Sequence, residues 1–260
     1  MNLGLEGKYA LITGGSRGIG RSTALALADE GCNIAVCARN KEDLEKTVND
    51  LKKKKVEVLS IKADVLNLSD VKKLTEKIID SWKTIHILIN NVGGGGRWGE
   101  DKIEDTPEQV WVDVYNKNVL AAIRFTIWAI PYMKKQKWGR IVNVASRLGR
   151  EGGGRPWFNM AKSAQISMMK TLSMNPDLVR NGITFNSVAP GGIMIPNTGW
   201  EKMKKDKPKE FKNLIDNQFP LGRLGTPEEV ANVIVFICSE KANFLNGACI
   251  SIDGGESRAF

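Results

Sequence analysis

Seven short apolar runs rich in β-branched residues recur along the 260 residues: KYALITG (8–14), NIAVCA (33–38), VEVLSIKAD (56–64), IHILINN (85–91), RIVNVAS (140–146), ITFNSVAP (183–190) and ACISIDG (248–254). Between them lie stretches of helical period, such as STALALADEG, LSDVKKLTEKIIDSW and PEEVANVIVFICSE. Alternation of the two patterns implies βαβ units. Runs that are apolar nearly throughout, not at every second residue, imply strands covered on both faces by helices. The expected fold is therefore α/β: a single doubly wound domain over residues 1–260 with a seven-stranded parallel sheet. No Pro/Ser-rich linker divides the chain. One helix start is explicit, with Thr226 as cap, Pro227 at the first helical position and Glu229 three residues after the cap.

Ligands of such sheets bind beyond the carboxyl ends of the strands, so the informative residues should follow the runs. The first run leads into TGGSRGIG, residues 13–20. Glycines 14, 18 and 20 permit a tight turn and close backbone approach, and the next helix offers unpaired N–H groups and its positive dipole end to a pyrophosphate. The spacing is G-x-x-x-G-x-G, not the commoner G-x-G-x-x-G. The second run ends in CARN. Where a carboxylate would accept hydrogen bonds from a ribose 2′-OH, this chain has Ala38, then Arg39 and Asn40, while Arg17 lies inside the glycine turn. Two guanidinium groups without a carboxylate suit a 2′-phosphate, so NADP(H) is expected over NAD(H). A solvated surface role for Arg39 is the alternative.

TGGSRGIG resembles the T-G-x-x-x-G-x-G turn of the classical short-chain dehydrogenase/reductase family, and further landmarks follow in that family's order. Asn90-Asn91-Val92-Gly93 is similar to its N-N-A-G segment, Asn118 in YNKNVLAA to its helix asparagine, and Ser146 in RIVNVAS to its serine. Lys162 matches the lysine of Y-x-x-x-K, Pro190-Gly191 the P-G turn and SIDGG the last strand. The resemblance covers essentially the whole chain and implies a Rossmann-type oxidoreductase interconverting a ketone and a secondary alcohol. It implies cofactor contacts from Thr13, Gly14, Ser16, Arg17, Gly18, Ile19 and Gly20 in the turn, and from Arg39 and Asn40 after the second strand. Asp64 and Val65 would line the adenine, Asn91 and Gly93 the adenosine ribose; Lys162, Pro190, Gly191 and Ile193 would complete the site. By the same resemblance Ser146 positions a carbonyl oxygen, Lys162 lowers a tyrosine pKa and binds ribose, and Asn118 helps hold a water that relays protons. The tyrosine's place is Phe158, one helical turn before Lys162.

A phenyl ring keeps the packing of tyrosine and loses its proton, and general acid catalysis contributes a factor of about 10² to 10⁴. With serine, asparagine and lysine intact, an engineered tyrosine-to-phenylalanine change is the favoured origin. A natural departure is the other, in which the chain reacts by another proton route or is a non-catalytic NADP(H)-binding sensor or scaffold.

The loops after the fourth and fifth runs, GGGGRWGE (93–100) and SRLGREGGGRPW (146–157), carry Arg97, Arg147, Arg150 and Arg155 with Trp98 and Trp157. Arginine pairs with carboxylate or phosphate and tryptophan offers a flat apolar wall. An anionic substrate is expected, contacted by Arg97, Trp98, Arg155 and Trp157, unless these arginines tie down loop backbones or subunits. Residues 191–217 match the family's lid, with Ile195 where a threonine is frequent.

The net charge of +9 raises nucleic acid as a partner. Its densest run, residues 52–55, reads as a solvated helix end without interleaved aromatics, so no nucleic acid is expected. No apolar run approaches the roughly 18 residues of a membrane span, and residues 1–15 lack the pattern of a signal peptide, so a cytoplasmic protein is expected. The four cysteines show no C-x-x-C spacing and the one histidine, His86, stands alone, which predicts reduced core thiols and no metal. The apolar stretch 119–133 fits the helix contacts of a homotetramer, the assembly frequent in the family, although core burial accounts for part of it just as well.

Overall fold

The computed structural model describes residues 1–259. Each apolar run forms a strand, the fifth starting one residue ahead of its run: β1 (Tyr9–Thr13), β2 (Asn33–Ala38), β3 (Val58–Lys62), β4 (Ile87–Asn90), β5 (Gly139–Val144), β6 (Ile183–Pro190) and β7 (Cys249–Ile252). They form one sheet in the order β3-β2-β1-β4-β5-β6-β7 with every neighbouring pair parallel. The helices are α1 (Gly18–Asp29), α2 (Lys41–Lys52), α3 (Leu68–Trp82), α4 (Glu108–Tyr115), α5 (Ala121–Gln136), α6 (Pro156–Ser173), α7 (Pro176–Val179), α8 (Gly199–Asp206), α9 (Pro208–Gln218) and α10 (Pro227–Cys238). A π-helical turn, Asn116–Leu120, joins α4 to α5.

Why the runs are apolar throughout is visible in β1. Ala10 and Ile12 pack with Ala24 and Leu27 of α1 and Val230 and Ile234 of α10 on one face. Leu11, between them, packs with Leu74 of α3, Phe125 of α5 and Met169 of α6 on the other. A period of two with both phases buried is a strand between two helical layers. The strand order reverses between β1 and β4, and a crevice opens there at their carboxyl ends.

The helix start at Thr226 forms a full capping box: its hydroxyl accepts from the Glu229 N–H (3.3 Å) and the Glu229 carboxylate accepts from the Thr226 N–H (2.8 Å). His86 is a strand-end packing residue. Its Nδ1 accepts from the Tyr9 N–H at 3.2 Å, its ring lies beside Tyr9 and Trp138, and burial pushes its pKa down to about 4, so the imidazole is neutral at pH 7. All four cysteines are free thiols, and burial pushes Cys32 and Cys37 up to about 12. Among the described residues no helix is long and apolar enough to cross a membrane.

Candidate active site

A cavity of about 1050 Å³ lies over the carboxyl ends of the central strands and reaches from the glycine turn to α8. Its floor is set by backbone conformations that only glycine adopts easily: φ is +69° at Gly14 and +54° at Gly18. A Cβ on Gly20 would stand 2.4 Å from Asn91 Nδ2 and 2.5 Å from the Gly14 carbonyl, so α1 can pack this close to β4 only with glycine there. The α1 cap residue, Arg17, makes no side-chain cap bond, leaving the first-turn N–H groups for an anion. Thr13 and Asn91 staple the turn. Thr13 Oγ1 accepts from the Asn91 and Val92 N–H groups (3.0 and 3.2 Å), and Asn91 Nδ2 donates to the Thr13 and Gly14 carbonyls (2.9 and 3.2 Å). The cradle fits a pyrophosphate.

At one end of the cavity Arg17, Arg39, Asn40, Asp64, Val65 and Lys117 line the wall. Among the described residues neither Arg17 nor Arg39 is in a salt bridge. Asn40 caps α2 by accepting from the Asp43 N–H at 3.0 Å. Lys117, on the π turn, holds its ammonium 4.6 Å from the Trp98 ring centroid. Its pKa is lowered by burial and then by the Arg39 and Arg17 charges, with Asp64 opposing, so three cations share this end.

At the other end Ser146, Phe158 and Lys162 line the wall. Ser146 Oγ accepts from the Leu148 N–H at 3.2 Å, which leaves its proton to donate into the cavity. Lys162 is buried; Nζ donates to the Val144 carbonyl and to Gln165 Oε1, each at 2.9 Å, and lies 5.6 Å from the Phe158 ring centroid. Burial alone pushes its pKa down to about 7. Asn118, fully buried, spends its amide on the backbone: Nδ2 donates to the Gly94 and Val114 carbonyls (2.8 and 2.7 Å) and Oδ1 accepts from the Gly94 N–H (3.1 Å). Its main-chain carbonyl accepts from Gln165 Nε2 at 2.9 Å.

The sequence model of a family described as enoyl-(acyl carrier protein) reductase matches residues 14–257. The 3-oxoacyl-[acyl-carrier-protein] reductase of Thermotoga maritima is 37% identical over 257 residues, 96% of this chain and 98% of that one. A (2S)-[(R)-hydroxy(phenyl)methyl]succinyl-CoA dehydrogenase subunit of Thauera aromatica is 31% identical across 98% of both chains. The structure of L-sorbose reductase from Gluconobacter frateurii with NADPH and L-sorbose superposes with a TM-score of 0.91 at 31% identity, covering 100% of both chains. This chain belongs to the classical short-chain dehydrogenase/reductase family.

As a short-chain dehydrogenase/reductase it has the family's crevice, and the structure sorts the residues expected to fill it. Gly14, Ser16, Arg17, Gly18, Ile19, Arg39, Asn40, Asp64, Val65, Asn91, Gly93, Lys162, Pro190, Gly191 and Ile193 all face the cavity. Thr13, Gly20 and Asn118 shape it from behind without lining it. Arg97 and Trp98 line it: the Arg97 guanidinium lies 5.6 Å from the Trp200 ring centroid and packs on Gly199 at the start of α8.

Two substrate expectations are corrected. Arg155 does not line the cavity; it binds the Asp101 carboxylate (2.7 Å) and the Glu100 and Asp101 carbonyls (2.5 and 3.1 Å), so it ties down the loop after β4. Trp157 is 1% exposed and packs with Val114, Val119 and Ala161, edge-on to Trp111 at 5.3 Å. Its indole donates to the Gly95 carbonyl at 3.3 Å and is core, not a substrate wall. Trp157→Ala should cost about 3–5 kcal/mol of stability, read as a lower urea midpoint at unchanged slope. Arg147 is likewise structural, bridging Glu151 (2.5 Å) and Glu256 (2.7 Å), and Arg150 donates to Ser251.

The expected lid is two helices, α8 and α9, preceded by a loop whose Ile195 closes on the glycine turn: a Cβ at Gly18 would meet Ile195 at 3.0 Å. Lys117, Gln165 and Glu256 are the site residues that sequence reasoning missed. Glu256 accepts from the Gly192 N–H at 2.6 Å and so anchors the root of the lid to the C-terminal segment.

Proposed function

We propose that the chain is an NADP(H)-dependent oxidoreductase interconverting a ketone and a secondary alcohol on an anionic substrate, and that Phe158, read as a tyrosine-to-phenylalanine change, leaves it impaired. One observation carries the cofactor choice: Arg17 and Arg39 face the crevice without a carboxylate partner, with Lys117 beside them. Such a cluster favours a phosphate over a ribose hydroxyl. Bound there, a reduced nicotinamide dinucleotide would supply the hydride. The Ser146 hydroxyl is placed to donate to a carbonyl oxygen, and Lys162, whose ammonium lines the same end, to hold ribose. Arg97 supports the anionic substrate, because its exposed guanidinium lines the cavity and is in no salt bridge among the described residues. A carboxylate, a phosphate or an acyl group on a phosphopantetheine arm would satisfy it. The test is fluorescence titration with NADPH and NADH followed by a panel of anionic and neutral ketones. NADPH binding that is no tighter than NADH binding would end the NADP(H) reading.

A second reading, a non-catalytic NADP(H)-binding sensor or scaffold, draws support from Phe158 and from Asn118, whose amide and main-chain carbonyl are both engaged by protein. Restoring a phenol at 158 separates the two.

Homotetramer assembly is proposed from the family and from apolar side chains exposed on adjoining helices, Val112 and Tyr115 of α4 and Ile127 of α5, the last 66% exposed. Light scattering should return a mass of about four chains; a monomer at all concentrations would overturn this. Four free thiols suit the reducing cytoplasm, which is the proposed compartment.

A further inference from the structure

Glu256 lies behind the wall of the carbonyl end of the cavity, and its side chain is only 5% exposed. A carboxylate so enclosed must have both oxygens satisfied, and here two different strand ends satisfy them. Oε1 pairs with Arg147 Nε at 2.7 Å, and Arg147 is the residue after Ser146. Oε2 accepts from the Gly192 N–H at 2.6 Å, one residue beyond the Pro190-Gly191 wall. Gly191 meets the cavity on one side and Glu256 on the other: a Cβ there would collide with Oε2 and stand 2.9 Å from Asp253 Cα.

Backbone pairing does not hold these two segments to each other. The β5–β6 ladder closes with the Ala145 N–H on the Val188 carbonyl at 2.9 Å, and the Gly191 N–H turns instead to the Ile252 carbonyl at 3.1 Å. Among the described residues no main-chain hydrogen bond joins 146–151 to 190–193. The Glu256 carboxylate spans that gap. Arg147 is held from its other side by Glu151 at 2.5 Å, and Glu151 Oε2 accepts from the Arg258 N–H at 2.7 Å, so both ends of the strut return to the C-terminal segment. Asp253 fixes the turn of that segment, its carboxylate accepting from the Gly255 and Ser257 N–H groups (3.0 and 3.2 Å).

We propose that Glu256 is a positioning residue for the nicotinamide end of a bound dinucleotide, acting through Arg147 to fix the distance between the Pro190-Gly191 wall and the Ser146 loop. The proposal rests on the NADP(H) reading above. With the 2′-phosphate at Arg17 and Arg39 and the pyrophosphate on the glycine turn, the end lined by Ser146, Pro190, Gly191 and Ile193 is left for the nicotinamide. The wall bears on the hydride donor's side and the serine on the acceptor's, so one carboxylate sets the two sides against each other without touching either. Hydride transfer is sensitive to such a strut, because a misplacement of about 1 Å can cost about 10²-fold in rate.

The test compares NADPH with adenosine 2′,5′-bisphosphate, which lacks the nicotinamide, by calorimetry on the full chain and its variants. Glu256→Ala should weaken NADPH by about tenfold, the scale of one charge-assisted hydrogen bond, and leave the bisphosphate unchanged. Glu256→Gln keeps an acceptor for the Gly192 N–H and should lose less. Arg147→Met should also weaken NADPH alone, and adding Glu256→Gln to it should cost nothing more, because the two side chains act as one unit. If the alanine variant does not fold, the glutamine and methionine variants decide. Equal weakening of both ligands, or of neither, overturns the proposal: the first makes Glu256 a support of the whole fold, and the second leaves the wall in place without it. So does an unaltered chain that holds NADPH no tighter than the bisphosphate, since nothing then grips the nicotinamide. Losses that add in the double variant overturn the coupling through Arg147. Failure of the unaltered chain to bind either ligand ends the NADP(H) reading itself, and the proposal with it.

Discussion

Phe158→Tyr should raise kcat/KM for ketone reduction by about 10² to 10⁴, the range that a positioned general acid supplies. The gain is expected because the rest of the constellation is in place. The ring is half-buried and lines the cavity, so a para hydroxyl would enter open space and not displace core. Lys162 Nζ lies 5.6 Å from the ring centroid, and a cation at that range lowers the pKa of a phenol. The Ser146 proton is free to share the same oxygen. NADPH affinity should change little, since the ring and its packing against Gly96 are kept. Steady-state rates on a ketone panel, with NADPH fluorescence as the binding control, check both halves. Equal turnover by the two proteins would mean that the acid is elsewhere, and no turnover by either would favour the sensor or scaffold.

The residues of this end show what a sequence discloses and what it hides. The strands and the glycine cradle were legible because their signals are local: a buried strand must be apolar at successive positions, and a turn with positive φ selects glycine. Loop arginines carry no such signal. Arg147 looks like an anion receptor until Glu256, more than a hundred residues away, turns out to be its partner. Arg155 is satisfied by Asp101 across another loop. Trp157 was readable in principle. Trp157, Ala161, Gln165 and Met169 recur every four residues and all are buried, whereas Phe158 and Lys162 lie on the adjoining stripe that meets the cavity. That spacing assigns the indole to the core and marks Gln165 as a buried polar group needing partners on both ends. Lys117 had no signal, since a lysine on a mixed helix reads as solvated and only the π turn carries it over the crevice.

The second large effect concerns the other end of the cavity. Arg39→Asp should weaken NADPH binding by about 10- to 150-fold, the loss of a charge-assisted hydrogen bond of about 1.5–3 kcal/mol, with repulsion between carboxylate and phosphate adding to it. NADH binding should hold or tighten, because the new carboxylate can accept from a ribose 2′-OH. The NADPH-to-NADH preference should therefore fall by about 10-fold or more, and by less at high salt, where exposed charges are screened. An unchanged ratio would make Arg39 a solvated surface residue and leave the choice of cofactor to Arg17 and Lys117. The same cluster affects the free protein. Arg17, Arg39 and Lys117 repel one another across a cavity in which Asp64 is the one opposing charge that Lys117 feels, so the cluster is a cost that an anion relieves. Adenosine 2′,5′-bisphosphate, which brings a phosphate without any redox chemistry, should raise Tm for this chain well beyond adenosine 5′-monophosphate, and Arg39→Asp should erase most of that difference. Equal shifts from the two nucleotides would place the selectivity elsewhere, whatever the turnover assays return.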